Sequence, residues 1–159
     1  MFWLRSNCSV MSEPPNELDE LNLVIADESR RRRKPFPIWV PDAGPGDWER
    51  LGRDYLARTA RWREERPVFT DKGLTNWGYV GALEAMLPGA RLVNTRRDPV
   101  ENCLACFRQS FARELGFTYD LAEMAAFWRD YDRLMRLWQQ RYPGRIHDVV
   151  HERLVVEPE

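Results

Sequence analysis

Leu18, Leu21 and Ile25 recur at three- and four-residue spacing, which predicts the buried stripe of a first helix. Asn16 is a good N-cap for it, with Glu17 and Asp19 placing negative charge in the opening turn. The run Arg30-Arg31-Arg32-Arg33-Lys34 closes the helix and Pro35 stops it. Four prolines and two glycines then surround Phe36, Ile38 and Trp39 up to Gly46, a composition that predicts a loop or extended strap. Asp47 reads as the cap of a second helix, whose one face carries Trp48, Leu51, Tyr55, Thr59 and Trp62. Val68-Phe69-Thr70 is a short strand leading to a polar turn at Asp71-Lys72, and a third helix runs from Trp77 to Met86.

The clearest local pattern follows. Arg91 to Thr95 reads as a strand, and Arg96 and Arg97 stand at its carboxyl end. Asp98, Pro99 and Glu101 then give three agreeing signals for a helix start: an N-cap, proline at the first helical position and an acid at the third. A further cap falls at Asp120, with Glu123 three residues on. Behind it Leu121, Met124, Trp128, Tyr131, Met135 and Trp138 make a long amphipathic helix, ended by Tyr142-Pro143-Gly144. Ile146 to His151 is the last strand candidate. Helices alternating with short strands predict an α/β layered fold with a mainly parallel sheet. Residues 1–15 show no periodicity and read as an irregular lead-in to one domain covering 16–159.

Composition narrows the function classes. The 159 residues carry 24 Lys+Arg against 25 Asp+Glu, a net charge of −1 that argues against nucleic acid or an anionic membrane held by bulk charge. Uninterrupted apolar stretches are too short for a membrane-spanning helix. Three cysteines make no disulfide framework, so a reducing cytoplasm is the expected setting. Cys103 and Cys106 have a C-x-x-C spacing but fall inside a helix, where packing explains them better than metal or redox chemistry. His147 and His151 stand four apart on a strand without a further ligand motif. No metal is expected. The basic run at 30–34 fits a solvated helix end complementing the macrodipole.

In an open α/β sheet, ligands gather beyond the carboxyl ends of the strands. Thr70-Asp71-Lys72, Arg96-Arg97-Asp98-Pro99 and His151-Glu152 each follow a strand. An arginine just before a capped helix joins a bidentate fork to backbone donors and the positive helix end, chemistry suited to phosphate or sulfate. The alternative for Arg97 is an ion pair with Asp98 or another surface carboxylate.

Phe69-Thr70-Asp71-Lys72, Leu87-Pro88-Gly89-Ala90-Arg91 and Arg97-Asp98-Pro99-Val100-Glu101-Asn102-Cys103-Leu104 resemble the sulfotransferase family, in particular its bacterial tetratricopeptide-associated and tyrosylprotein-type branch. Glu17 to Asn22, Phe117 to Asp120 and Glu152 to Pro158 extend the resemblance over nearly all of 16–159. It implies a P-loop-like α/β fold that takes 3′-phosphoadenosine 5′-phosphosulfate as sulfonyl donor and a hydroxyl, possibly a tyrosine, as acceptor. By position, Arg97 matches the arginine on the donor's 3′-phosphate, Lys72 the lysine beside the transferred group, and Glu17 the general base. Arg108, Gln109 and His151 fall at further donor-site positions.

This sequence also departs from the family pattern. Ala105 stands where a serine supplies a second hydrogen bond to the 3′-phosphate, worth roughly 1.5–3 kcal/mol to a charged group. Gln109 replaces an arginine, with Arg108 beside it; His151 replaces an aromatic and Arg153 an aspartate. All nine glycines lie at position 44 or later, so no glycine-rich loop precedes the first helix to cradle the 5′-phosphosulfate. By the resemblance, the first strand, that loop and its helix are expected to be missing, as is the C-terminal region. A missing central strand would expose apolar edges. Two alternatives to an active enzyme follow: a degenerate, non-catalytic nucleotide binder, and an α/β interaction module. Nothing in the chain fixes an oligomeric state.

Overall fold

The computed structural model describes residues 2–5, 18–62, 68–109 and 115–157. The chain divides into two compact units between Leu92 and Val93, within the strand β3 (Ala90–Arg96).

In the first unit, α1 (Glu20–Arg32) follows Asp19; Leu18, Leu21 and Ile25 are buried as the spacing predicts, and Val24 is buried with them. The expected cap at Asn16 and the candidate base Glu17 lie outside the described residues. Arg33 ends the helix in the left-handed region at φ 55°, so that its N–H and that of Lys34 return to the carbonyls of Arg30 and Ser29. The strap that follows places Trp39 at 0% exposure. Its indole N–H donates to Ser29 Oγ at 3.0 Å, and that hydroxyl donates to the Ile25 carbonyl at 2.9 Å. A buried indole needs such a partner.

Helix α2 (Pro45–Arg58) starts three residues earlier than expected. Gly44 occupies the cap, Pro45 the first helical position, and Asp47 reaches back from the third to accept the Gly44 N–H at 3.1 Å. Proline suits that place because it has no N–H to leave unsatisfied. Leu51, Tyr55 and Thr59 are buried, while Trp62 lies beyond the helix in a 3-10 turn, Ala60–Trp62. Helix α3 (Val80–Met86) is shorter than expected because its first turn, Asn76–Tyr79, is a 3-10 turn. A Cβ on Gly52 would sit 2.2 Å from the Met86 carbonyl oxygen, so the close approach of α2 to the end of α3 requires glycine.

Residues 2–5 form a strand, β1 (Phe2–Arg5), where the sequence reads as irregular. It lies between β2 (Val68–Asp71) and β3, antiparallel to both, with Phe2 opposite Asp71 on one side and Leu92 on the other. The expected parallel sense therefore holds for β2 and β3, which run the same way, while β1 departs from it. The gap expected at the middle of the sheet is filled by this four-residue strand.

In the second unit, β4 (Ile146–Val150) is the neighbour of β3, and α6 (His151–Val156) follows at once, so His151 opens a helix rather than ending a strand. Both aspartate caps form as predicted. Asp98 accepts from the N–H groups of Val100 and Glu101 at the start of α4 (Pro99–Arg108); Asp120 accepts from those of Ala122 and Glu123 at the start of α5 (Leu121–Arg141). On α5 Met124 and Met135 are buried and the aromatic stripe is half-buried, whereas Leu121 is exposed. A polar chain ties the unit together. Tyr131 Oη donates to Asn94 Oδ1, Asn94 Nδ2 to Asp148 Oδ1, and Gln139 Nε2 to Asp148 Oδ2, each at 2.7 Å. No helix among the described residues is long and apolar enough to cross a membrane.

Candidate functional site

The first unit contributes the carboxyl end of β2. Strand alternation turns Phe69 and Asp71 toward the core and leaves Lys72, the next residue, exposed. Asp71 is wholly buried, and its carboxylate is satisfied by neutral donors. Tyr55 Oη from α2 donates to Oδ2 at 2.8 Å, Asn76 Nδ2 donates to Oδ1 at 3.2 Å, and the Gly73 N–H donates as well. Burial pushes the Asp71 carboxyl up, and these three hydrogen bonds only partly oppose it. Asn76 Oδ1 is buried with no partner among the described residues, and a Cβ on Gly73 would approach it to 2.5 Å.

The second unit contributes the carboxyl end of β3. Arg96 turns toward α5 and pairs with the buried Asp132 at 2.7 Å, while Arg97 stays exposed and donates to Glu101 Oε2 at 3.0 Å. The surface ion pair weighed for Arg97 is thus present, with Glu101 rather than Asp98 as partner. The backbone donors expected to be open at this helix start are in use. Pro99 has none, Val100 and Glu101 give theirs to the Asp98 side chain, and the Asp98 N–H donates to Glu152 Oε1 at 2.9 Å. That backbone N–H holds the Glu152 carboxyl below the usual range. Of the groups at this turn, the Arg97 guanidinium is the one that keeps N–H donors to spare.

Arg108 and Gln109 stand at the other end of α4, about 15 Å of helix rise from Arg97 for ten residues. Ala105 lies exposed on the same helix. His151 is exposed at the start of α6, beside Glu152. Cys103 and Cys106 are half-buried free thiols, and burial pushes Cys106 up, away from thiolate chemistry. Lys72 belongs to the first unit; Arg97, Arg108, Gln109 and His151 belong to the second. No group of three or more metal-ligating side chains converges among the described residues.

The basic run does more than solvate a helix end. Arg31, Arg32 and Arg50 converge on Glu28, which is 2% exposed on the inner face of α1. These guanidiniums, Arg31 foremost, bring the Glu28 carboxyl down to about 2 despite its burial. Asp47 pairs with Arg32 at 2.7 Å, Lys34 with Asp42, and Arg30 with Asp27.

In the sequence Tyr55 reads only as part of a helix face, Asn76 is not singled out, and Glu152 follows a strand without its partner. For the first two a signal existed: Asp71 shares the inward face of β2 with Phe69, and a carboxylate facing a core needs donors nearby. Glu152 gave no local signal, because its partner is 54 residues away.

A family model described as "Sulfotransferase family" matches residues 24–159. An uncharacterized protein of Aquifex aeolicus (strain VF5) is 32% identical over 108 residues, which are 66% of this chain and 14% of that protein. This chain thus spans about a seventh of the length of that relative. No solved structure matches. With the match running from within α1 to the last residue and taking in Lys72, Arg97 and Glu152, the chain belongs to the sulfotransferase family.

Proposed function

We propose that the chain transfers a sulfonyl group from 3′-phosphoadenosine 5′-phosphosulfate to an acceptor hydroxyl, with a tyrosine side chain or other phenol as the acceptor class. The observation that carries this reading is the family match over 24–159, which includes a cation at each of two strand ends: Lys72 after β2 and Arg97 on the exposed turn before α4. Arg97 exchanges Glu101 for the donor's 3′-phosphate, a dianion that matches the guanidinium fork better than a single carboxylate. Lys72 offsets the negative charge that grows on the bridging oxygen as the sulfur–oxygen bond to the 5′-phosphate breaks. Glu17 takes the acceptor proton as the new sulfur–oxygen bond forms.

Titration calorimetry with 3′-phosphoadenosine 5′-phosphate tests the donor site. Micromolar binding is expected in the wild type, weakened at least tenfold in Arg97→Ala, a loss of about 1.4 kcal/mol or more. No heat at millimolar nucleotide would defeat the proposal. A second reading, a nucleotide binder without catalysis, is favoured by one observation: residues 6–17, between β1 and the start of α1, contain no glycine to let backbone N–H groups close on the 5′-phosphosulfate. Turnover with a small phenol separates the two, since a binder alone would retain calorimetric heat and give no sulfated product.

A further inference from the structure

The turn that carries Lys72 is anchored from below by a buried group with no evident task in holding the core together. A carboxylate at 0% exposure is an expensive choice for a strand end, and the side-chain hydrogen bonds that hold it come from neutral groups. What it does accomplish is local. By accepting the Gly73 N–H, the Asp71 side chain closes an Asx turn whose middle residue is Lys72. Its other hydrogen bonds fasten that turn to two further elements: Tyr55 in the third turn of α2, and Asn76 at the head of the 3-10 turn before α3.

The fit is tight around the same three residues. Tyr55 is 0% exposed and its ring stacks on Phe69, the inward residue two positions before Asp71. Asn76 is 5% exposed and its carbonyl oxygen lies over Gly73, close enough that any Cβ there would collide. That oxygen is the buried, unpartnered side-chain atom of the described residues. Leaving a buried amide oxygen unsatisfied is costly, and packing alone does not account for it. The Lys72 backbone is thereby boxed between Asp71 inside, Gly73 beneath Asn76, and strand β2 before it, which fixes the point from which the lysine side chain leaves the surface.

We propose that Asp71, Tyr55 and Asn76 are positioning residues that aim Lys72 at the 5′ end of the nucleotide sulfonyl donor. This rests on the reading of Lys72 as a donor contact. The three act through Lys72 and touch no substrate themselves. Preorganisation of a charged group in this way raises its effect on a developing charge, because no reorganisation is needed when the charge appears.

The test is a double-mutant cycle read by calorimetric titration with 3′-phosphoadenosine 5′-phosphate. Tyr55→Phe removes one hydrogen bond to Asp71 with almost no change of volume, and Asn76→Ala removes another from a different element. Lys72→Ala is expected to weaken binding roughly tenfold or more, and each of the other two roughly three- to tenfold. In the Lys72→Ala background, Tyr55→Phe and Asn76→Ala should weaken binding no further, a coupling that a purely structural role would not produce. Tyr55→Phe with unchanged affinity, or with the same loss in both backgrounds, overturns the proposal. Lys72→Ala with unchanged affinity overturns it through its premise. Amide hydrogen exchange at Gly73 tells these failures apart: it should accelerate in Tyr55→Phe, and an unchanged rate would mean the clasp itself is not holding the turn.

Discussion

Glu28 and Asp71 are both carboxylates buried in the first unit, at 2% and 0% exposure, and they are satisfied in opposite ways. Glu28 is ringed by the guanidiniums of Arg31, Arg32 and Arg50, so charge meets charge and its carboxyl falls to about 2. Asp71 has a phenol, an amide and a backbone N–H, all neutral, and burial moves its carboxyl up instead. Equal burial thus gives opposite electrostatics, decided by whether the donors carry charge. The difference teaches where each acid does its work. Glu28 joins α1 to α2 and gathers a basic helix end that would otherwise repel itself; Asp71 shapes one turn.

The largest effect expected from this contrast is in Glu28→Ala. It leaves three guanidiniums facing an empty buried position and should cost on the order of 3 kcal/mol in urea unfolding. A loss under 1 kcal/mol would mean the arginines simply turn outward to water. Acid titration of stability is the next test, because the two carboxylates contribute with opposite sign. A depressed carboxyl stabilises the fold above its unfolded value near 4.5 and loses that contribution as pH falls toward about 2. Glu28→Gln should therefore flatten the decline between those values. For Asp71, whose carboxyl is raised, stabilisation is complete below 3.8 and fades as pH rises through the folded value. Asp71→Asn should remove that fading, and a steeper dependence in the variant would reverse the assignment.

Smaller still is Tyr55→Phe, expected to cost about 1–2 kcal/mol for one hydrogen bond to a buried acid. Arg31→Ala should cost least, about 0.5 kcal/mol, since that side chain is 54% exposed and Glu28 keeps two other partners. If Arg31→Ala proved as damaging as Glu28→Ala, the three arginines would be acting as one unit.

The caps at Asp98 and Asp120 were legible in the sequence because each is a contact two or three residues long. So was the stripe Leu18, Leu21, Ile25, which needs only the helical period. What escaped depended on distance along the chain. Arg50 reaches Glu28 from 22 residues away, and Glu152 reaches the Asp98 N–H from 54. The sense of β1 was equally hidden, because Phe2–Arg5 is too short to show a period and its direction is set by its partners. Trp39 was read as part of a strap, and burial of a loop tryptophan depends on what α1 and α2 leave open between them. At the candidate site, Lys72 and Arg97 could be named from their places after strands. The donors already used up around Arg97 could not, since a sequence does not show which N–H groups are taken.

That last arrangement bears on how any anion would be held at the second unit. With the helix-start amides committed to Asp98 and Glu152, an incoming phosphate meets the N–H groups of Arg97 that its one bond to Glu101 leaves over. Where its oxygens take up the guanidinium fork in full, it displaces the Glu101 carboxylate from a side chain that is already oriented. The affinity measured there is then a difference between two anions competing for one cation, rather than the strength of one contact. Such an exchange would respond weakly to added salt, because the ion pair lost is screened along with the ion pair gained. Its selectivity would lie in charge and shape, which favour a dianion that sets two oxygens in the guanidinium plane.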